Sequence, residues 1–399
     1  MKNHLKYCLG LMAFVSFFAC SNDDSKSEEP VLDPAVAIKL ASDFAVDQYN
    51  VIEINPDVTI ENAADKVATY VWSVKVTGSD GIIKDSIVGD SKNLMFISPE
   101  ATNYVLDFTV TVGGIVKKAS VKVTVSETGK TYNSKALSLI DFVPGPAYNI
   151  DNYDFPTKAQ VMEKVQADLE NGEDISLGTF GGYITIAFDH TVVNAYGKRD
   201  FTVQMNNSAK YSPASVFVAY DANKNGKADE NEWYEIAGSE YYKSTTVKNY
   251  EMTYFKPDAN KPAVKGIMNW EFDKEYIKWT TNKNTSGNIT KVDKRKFSDY
   301  YPNWMGNSYT VKGTKINIPV KDVSDGLGTA FNIGTFEWGY GGIKDPSIDI
   351  SWAVDNDGKK VHLPGVDFVK VYVPTFVEMG ANCLLFGSFQ EVSDLNFEQ

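Results

Sequence analysis

The chain has 399 residues, is 43% hydrophobic and 13% aromatic, and carries 52 acidic against 39 basic side chains, a formal net charge of −13. That acidity argues against nucleic-acid backbones as partners, since binding them calls for a surplus of Lys and Arg. The length exceeds what one hydrophobic core normally supports, so at least two domains are expected.

Residues 1–19 place Lys2 and Lys6 ahead of an apolar run from Leu9 to Phe18. This reads as a secretory signal, too short to span a bilayer. Its end, Ala19 before Cys20, resembles a bacterial lipobox, which implies that Cys20 is the lipid-modified first mature residue. Residues 20–34 are polar and acidic, cannot bury enough apolar surface to fold, and read as a flexible tether. Asp23 and Asp24 resemble the acidic export signal of Bacteroidetes surface lipoproteins, which implies the outer face of the outer membrane with the acyl chains as the membrane contact. Once Cys8 leaves with the signal and Cys20 is acylated, Cys383 has no thiol left to pair with, and no intrachain disulfide is expected.

Between residues 35 and 127, short alternating runs such as ATYVWSVKV, YVLDFTVTVGG and KKASVKVTVSE are bounded by Gly, Pro, Asn and Asp. This predicts an antiparallel β-sandwich of Ig-like size. The strand Tyr70-Val71-Trp72-Ser73-Val74 resembles the tryptophan strand of PKD-like domains. No site chemistry is visible there, and the unit reads as a spacer.

From residue 131 to 399 one helix is predicted over Asp154 to Gly172, with Thr157 and Gln160 as a capping box and Met162, Val165 and Leu169 at helical spacing. Beyond it, GGYITIAFDHTVVN, RDFTVQMN, ASVFVAY, EWYEIAG, NYEMTYFKP, TKINIPV, SIDISWAVD and VDFVKVYVP read as strands. The fold class is therefore all-β: an N-terminal PKD/Ig-like β-sandwich, then a larger jelly-roll-like β-sandwich with one packed helix.

The stretches FGGYITIAFDHTVVN, YDANKNGKADENEWYEIAGSEYY, TVKNYEMTYFKP and DISWAVDNDGKKVHLPGVDFVKVY are together similar to a family of Bacteroidetes PKD-like-domain-containing surface lipoproteins. Members are often encoded beside TonB-dependent transporters and β-propeller lipoproteins of cobalamin uptake. The resemblance implies capture of a corrinoid at the cell surface rather than catalysis, with handover to a TonB-dependent transporter and neighbouring surface lipoproteins as partners. The tail GANCLLFGSFQEVSDL departs from the Trp-containing ending of that family.

Two sets of residues carry candidate chemistry. Asp221, Asn223, Asn225 and Gly226, followed at the right spacing by Glu232, satisfy a calcium-loop pattern, with the Lys227 carbonyl and Asp229 completing a set of hard oxygen donors. The flanks are β, so the expectation is a structural calcium loop joining two strands, against an ordinary Asx-turn hairpin. The second set is aromatic. Trp279 and Trp304, read as loop residues, then Trp338, Tyr340 and Trp233, are the candidates for contact with a flat ligand, whether a corrin or a sugar ring.

The remaining signals are weaker. His190 at a strand end reads as structural before it reads as a metal ligand. His362 reads as strand packing. Glu232 with Glu235, or Asp349 with Asp355, would have to serve a glycoside hydrolase, but nothing in the spacing pairs them. The readings in order are a corrinoid-binding lipoprotein, a glycan-binding accessory lipoprotein of a polysaccharide-utilisation system, and a glycoside hydrolase.

Overall fold

The structure, a computed structural model, describes residues 34–63, 65–77, 82–195, 197–206 and 211–397. The signal segment, Cys20 and nearly all of the tether lie outside the described residues.

The N-terminal unit is built on a five-stranded sheet in the order Asp43–Asp47, Ile115–Ser126, Asn103–Val112, Thr69–Thr77, Ile83–Gly89. Its first pair is parallel and the others antiparallel. Strict alternation sends Leu106, Phe108, Val110 and Val112 inward along one strand. Trp72 is fully buried against Phe108, ring centroids 4.5 Å apart, and its indole N–H donates to the Lys92 carbonyl at 3.2 Å. Two short antiparallel pairs, Ala35–Lys39 with Asp57–Glu61 and Ile52–Ile54 with Leu94–Phe96, contribute Val36, Ile54 and Leu94 to this core.

The larger unit has a six-stranded antiparallel sheet ordered Ser138–Val143, Tyr183–Val193, Gly365–Tyr372, Ser215–Ala219, Trp233–Ile236, Ala353–Val354. A four-stranded sheet, Ile175–Gly178, Gly387–Asp394, Phe201–Met205, Ser347–Ile348, supplies Val203, Phe389 and Val392 to the core that also holds Ile184, Ile186, Val216, Val369 and Val371 from the six-stranded sheet. The helix Lys158–Asn171 closes this core with Val161, Val165 and Leu169. Thr157 caps it by accepting the Gln160 N–H, and Gly172 ends it in the left-handed region. The Gln160 side chain meets the Thr157 hydroxyl rather than the Thr157 backbone N–H, so the capping box is only half made.

Three sequence expectations need correction. The strands do not all join one sandwich: Ser286–Val292, Glu271–Thr281, Val247–Phe255 and Ser308–Lys315 form a separate four-stranded sheet. Its inward residues Tyr250, Met252, Tyr254 and Val311 cluster with Phe180 rather than joining the aliphatic core. SIDISWAVD is not one strand, because Asp349 accepts the Ser351 N–H at 2.9 Å and starts a 3-10 turn over Ile350–Trp352. His362 is exposed outside any strand, with Nε2 3.7 Å from Asp90 of the N-terminal unit.

Candidate functional site

The loop from Asp221 to Glu232 leaves the Ser215–Ala219 strand and returns as Trp233–Ile236. Asp221 accepts the backbone N–H groups of Asn225 and Gly226 at 3.0 and 2.7 Å, and Asn225 accepts that of Lys227 at 2.8 Å. The side-chain amides of Asn223 and Asn225 both donate to Asp229 Oδ2, at 2.7 and 2.9 Å. Glu232, buried, accepts from the Ala222 and Asp229 N–H groups. Gly226, at φ 74°, permits the sharp turn.

The donor chemistry suits a hard cation, since each of these side chains offers oxygen. Two amide N–H groups already converge on Asp229, the polarity a cation would supply. The geometry is looser than the chemistry. Asp221 and Glu232 turn to loop N–H groups, and among the described residues no group of three or more His, Cys, Asp or Glu side chains is gathered closely enough to hold a metal.

This loop borders a cleft of about 800 Å³ between the two units. Tyr49 enters from the N-terminal unit, Lys130 and Tyr132 from the connecting segment, and Phe188, Tyr220 and Asp367 from the larger sandwich. Asp367 ties the floor to the loop: it accepts the Thr191 hydroxyl at 2.6 Å and the Asp221 N–H at 2.7 Å. Burial is the main cause that raises its pKa above the usual carboxylate value, against the lowering effect of those two bonds.

His190 forms the inner wall of the cleft, its side chain buried. Nδ1 is 2.8 Å from Asp189 and Nε2 2.9 Å from Asp394, while the rings of Tyr49, Tyr132, Phe188 and Phe397 surround it at 5.0 to 5.5 Å. With both ring nitrogens engaged by carboxylates it is a structural residue rather than a free ligand for a metal. Burial works to lower its pKa, but Asp394 and Asp189 outweigh that and leave it raised.

The aromatic candidates do not assemble. Trp279 lies inside the strand Glu271–Thr281 rather than in a loop; it packs on Phe376, and its buried indole N–H has no protein partner. Trp304, in a short turn, packs against the main core with its N–H likewise buried. Tyr340 is 1% exposed, its hydroxyl accepting the Glu240 N–H. Trp233 is half-buried beside Ala187, Ala219 and Phe368 under Lys370. Trp338 is 39% exposed and meets Trp352, a residue the sequence reading passed over.

The carboxylates of each candidate pair take different partners. Glu235 is buried between sheets, accepting the Tyr372 and Thr314 hydroxyls at 2.6 Å each, and burial pushes its pKa up to about 7. Glu232 instead braces the loop. Asp349 engages Ser351 and Arg199, whereas Asp355 accepts the N–H groups of Asp357 and Lys359.

Fold and site define an all-β protein of two separately cored β units with a cleft at their junction. No protein-family model and no curated protein matches the chain. Among solved structures it is similar to the PKD domain of human KIAA0319, 20% identical over 28% of this chain and 97% of that one, at a TM-score of 0.20. It is also similar to three N-terminal domains of the bacteriophage RB49 outer capsid protein Hoc, 13% identical over 51% of this chain and 54% of that one, at a TM-score of 0.18. A third is a quinonprotein alcohol dehydrogenase-like protein of Bacteroides thetaiotaomicron, 10% identical over 62% of this chain and 47% of that one, at a TM-score of 0.16. The chain thus spans about half the length of the second and third. TM-scores this low establish no common fold.

Proposed function

We propose that this chain is a lipid-anchored surface protein of the outer membrane that captures a small nutrient molecule, a corrinoid first, and passes it to a TonB-dependent transporter. The observation that supports capture is the cleft of about 800 Å³, a size suited to holding a small molecule or much of a larger one. Its wall mixes aromatic rings with Lys130, Lys135, Asp189 and Asp367, the balance of apolar surface and oriented polar groups that small-molecule sites use. Calcium in the Asp221 to Glu232 loop would stiffen one rim. Binding is favoured over hydrolysis because Glu235 is buried against the Tyr372 and Thr314 hydroxyls and Glu232 is engaged by loop N–H groups.

Mixing the purified protein with cyanocobalamin and desalting it tests the reading. A pink protein fraction is expected, and Tyr132→Ala in the cleft wall should lose the colour while still unfolding cooperatively. A colourless wild-type fraction removes the corrinoid.

A further inference from the structure

A second place on the surface combines the features of a ligand site. Arg199 lies over the Trp352 ring at 4.2 Å, and Trp352 meets Trp338 at a centroid distance of 4.7 Å and an interplanar angle of 54°. Arg199, Trp352 and Trp338 thus form one cluster in which the two indole rings are tilted against each other. Trp338 is the exposed tryptophan among those described. Neither indole N–H of the pair has a hydrogen-bond partner among the described residues, so both donors stand unpaired beside the two tilted rings. The Glu337 carboxylate, exposed and next in the chain, likewise has no partner among them.

The turn that carries Trp338 is rigid. Ser239 grips it twice, its N–H donating to the Trp338 carbonyl at 3.1 Å and its hydroxyl accepting the Glu337 N–H at 3.2 Å. Gly339, at φ +82°, approaches Gly238 so closely that a Cβ would stand 2.5 Å from the Gly238 Cα. The Arg199 charge is already offset by Asp349 at 3.1 Å, so it does not cancel the charge of Glu337.

We infer that Trp338, Trp352 and Glu337 form a site for the pyranose rings of a neutral glycan. An aromatic face stacks on the C–H side of a sugar, while indole N–H groups and a free carboxylate take its hydroxyls. Held rigid before binding, Trp338 loses little freedom when a ring docks. The carboxylates turn away anionic sugars. None of these residues lines the cleft, so the inference stands apart from the corrinoid reading.

Native affinity electrophoresis of the whole mature protein in gels containing soluble starch, yeast α-mannan or xyloglucan tests it. Retardation by at least one polysaccharide is expected. Trp338→Ala should weaken it at least tenfold in a protein that still unfolds cooperatively, and Trp338→Phe should restore part of it. No retardation in any gel, or equal retardation of Trp338→Ala, overturns the site. Loss of cyanocobalamin by Trp338→Ala would overturn its separateness from the cleft.

Discussion

His190 Nε2 sits 2.9 Å from Asp394 Oδ2 with neither side chain exposed, a bond that joins the Tyr183–Val193 strand to the end of Gly387–Asp394. It also lies where Tyr49 of the N-terminal unit stacks on Phe397. Removing one member of a buried ion pair normally costs about 3–5 kcal/mol, and because Asp189 still faces Nδ1 at 2.8 Å, Asp394→Asn should destabilise the fold by less than that. Chemical denaturation of wild type and variant measures it.

The same pair gives stability a pH dependence of definite sign. Folding raises the His190 pKa, so the folded state holds the proton more tightly than the unfolded one. That contribution is complete below about pH 6.5 and is lost as pH rises through the folded-state value. The gap in melting temperature between wild type and His190→Gln should therefore narrow as pH climbs above about 6.5. A gap independent of pH would show that the imidazolium contributes nothing through its charge.

Glu235 acts in the same direction for a different reason. Burial lifts its pKa from 4.5 to about 7, so the folded state prefers the neutral acid. Its contribution is full below pH 4.5 and lost between there and about pH 7, on the order of 3 kcal/mol in all. Glu235→Gln, which stays neutral, should melt above wild type at pH 8 and close to it at pH 4.5. A variant less stable than wild type at pH 8 would mean that the ionised carboxylate is better solvated by Tyr372 and Thr314 than burial implies.

How far the fold could be read from the sequence depended on how local its cause is. Strands such as Asn103–Val112 and Gly365–Tyr372 carry their alternation or apolar runs in consecutive residues, and the helix carries Thr157 and Gly172 at its ends. The tail could not be read that way. Gly387–Asp394 fills the interior of a four-stranded sheet, yet its partners Ile175–Gly178 and Phe201–Met205 lie far back in the chain. The site behaves likewise. The calcium-loop spacing is visible in one segment, but the Asp394 partner of His190 is 204 residues away, and nothing near Trp338 points to Trp352 or Arg199. Trp279 and Trp304 look like loop aromatics because polar residues surround them; tertiary packing buries them.

For the loop at Asp221, calcium should raise the melting temperature, because a ligand that binds only the folded state stabilises it by mass action, about 2.7 kcal/mol at a hundredfold excess over Kd. Glu232→Gln, which removes one anionic donor while keeping an oxygen to accept the Ala222 or Asp229 N–H, should abolish the increment. Scanning calorimetry in millimolar calcium and in chelator decides this. Identical curves for wild type in the two would leave the loop as a hydrogen-bonded turn.

Gly339 offers a test of the rigid turn under Trp338. At φ +82° an L-residue is strained by roughly 1–2 kcal/mol, and here a Cβ would also meet the Gly238 Cα at 2.5 Å, a backbone atom that cannot swing aside. Gly172 is the control: it ends the helix at φ +69° with nothing within 4 Å of where a methyl group would stand, so Gly172→Ala carries only the conformational strain. Gly339→Ala should therefore destabilise the protein clearly more than Gly172→Ala, by about 1–3 kcal/mol of overpacking beyond the shared strain. Below its melting point Gly339→Ala should also lose polysaccharide retardation, because displacing Gly339 from Gly238 moves the Trp338 ring off Trp352, whereas Gly172→Ala should retain it. Equal stability losses in the two variants would mean that the close approach of Gly339 to Gly238 can relax at no cost, and that the turn does not fix Trp338.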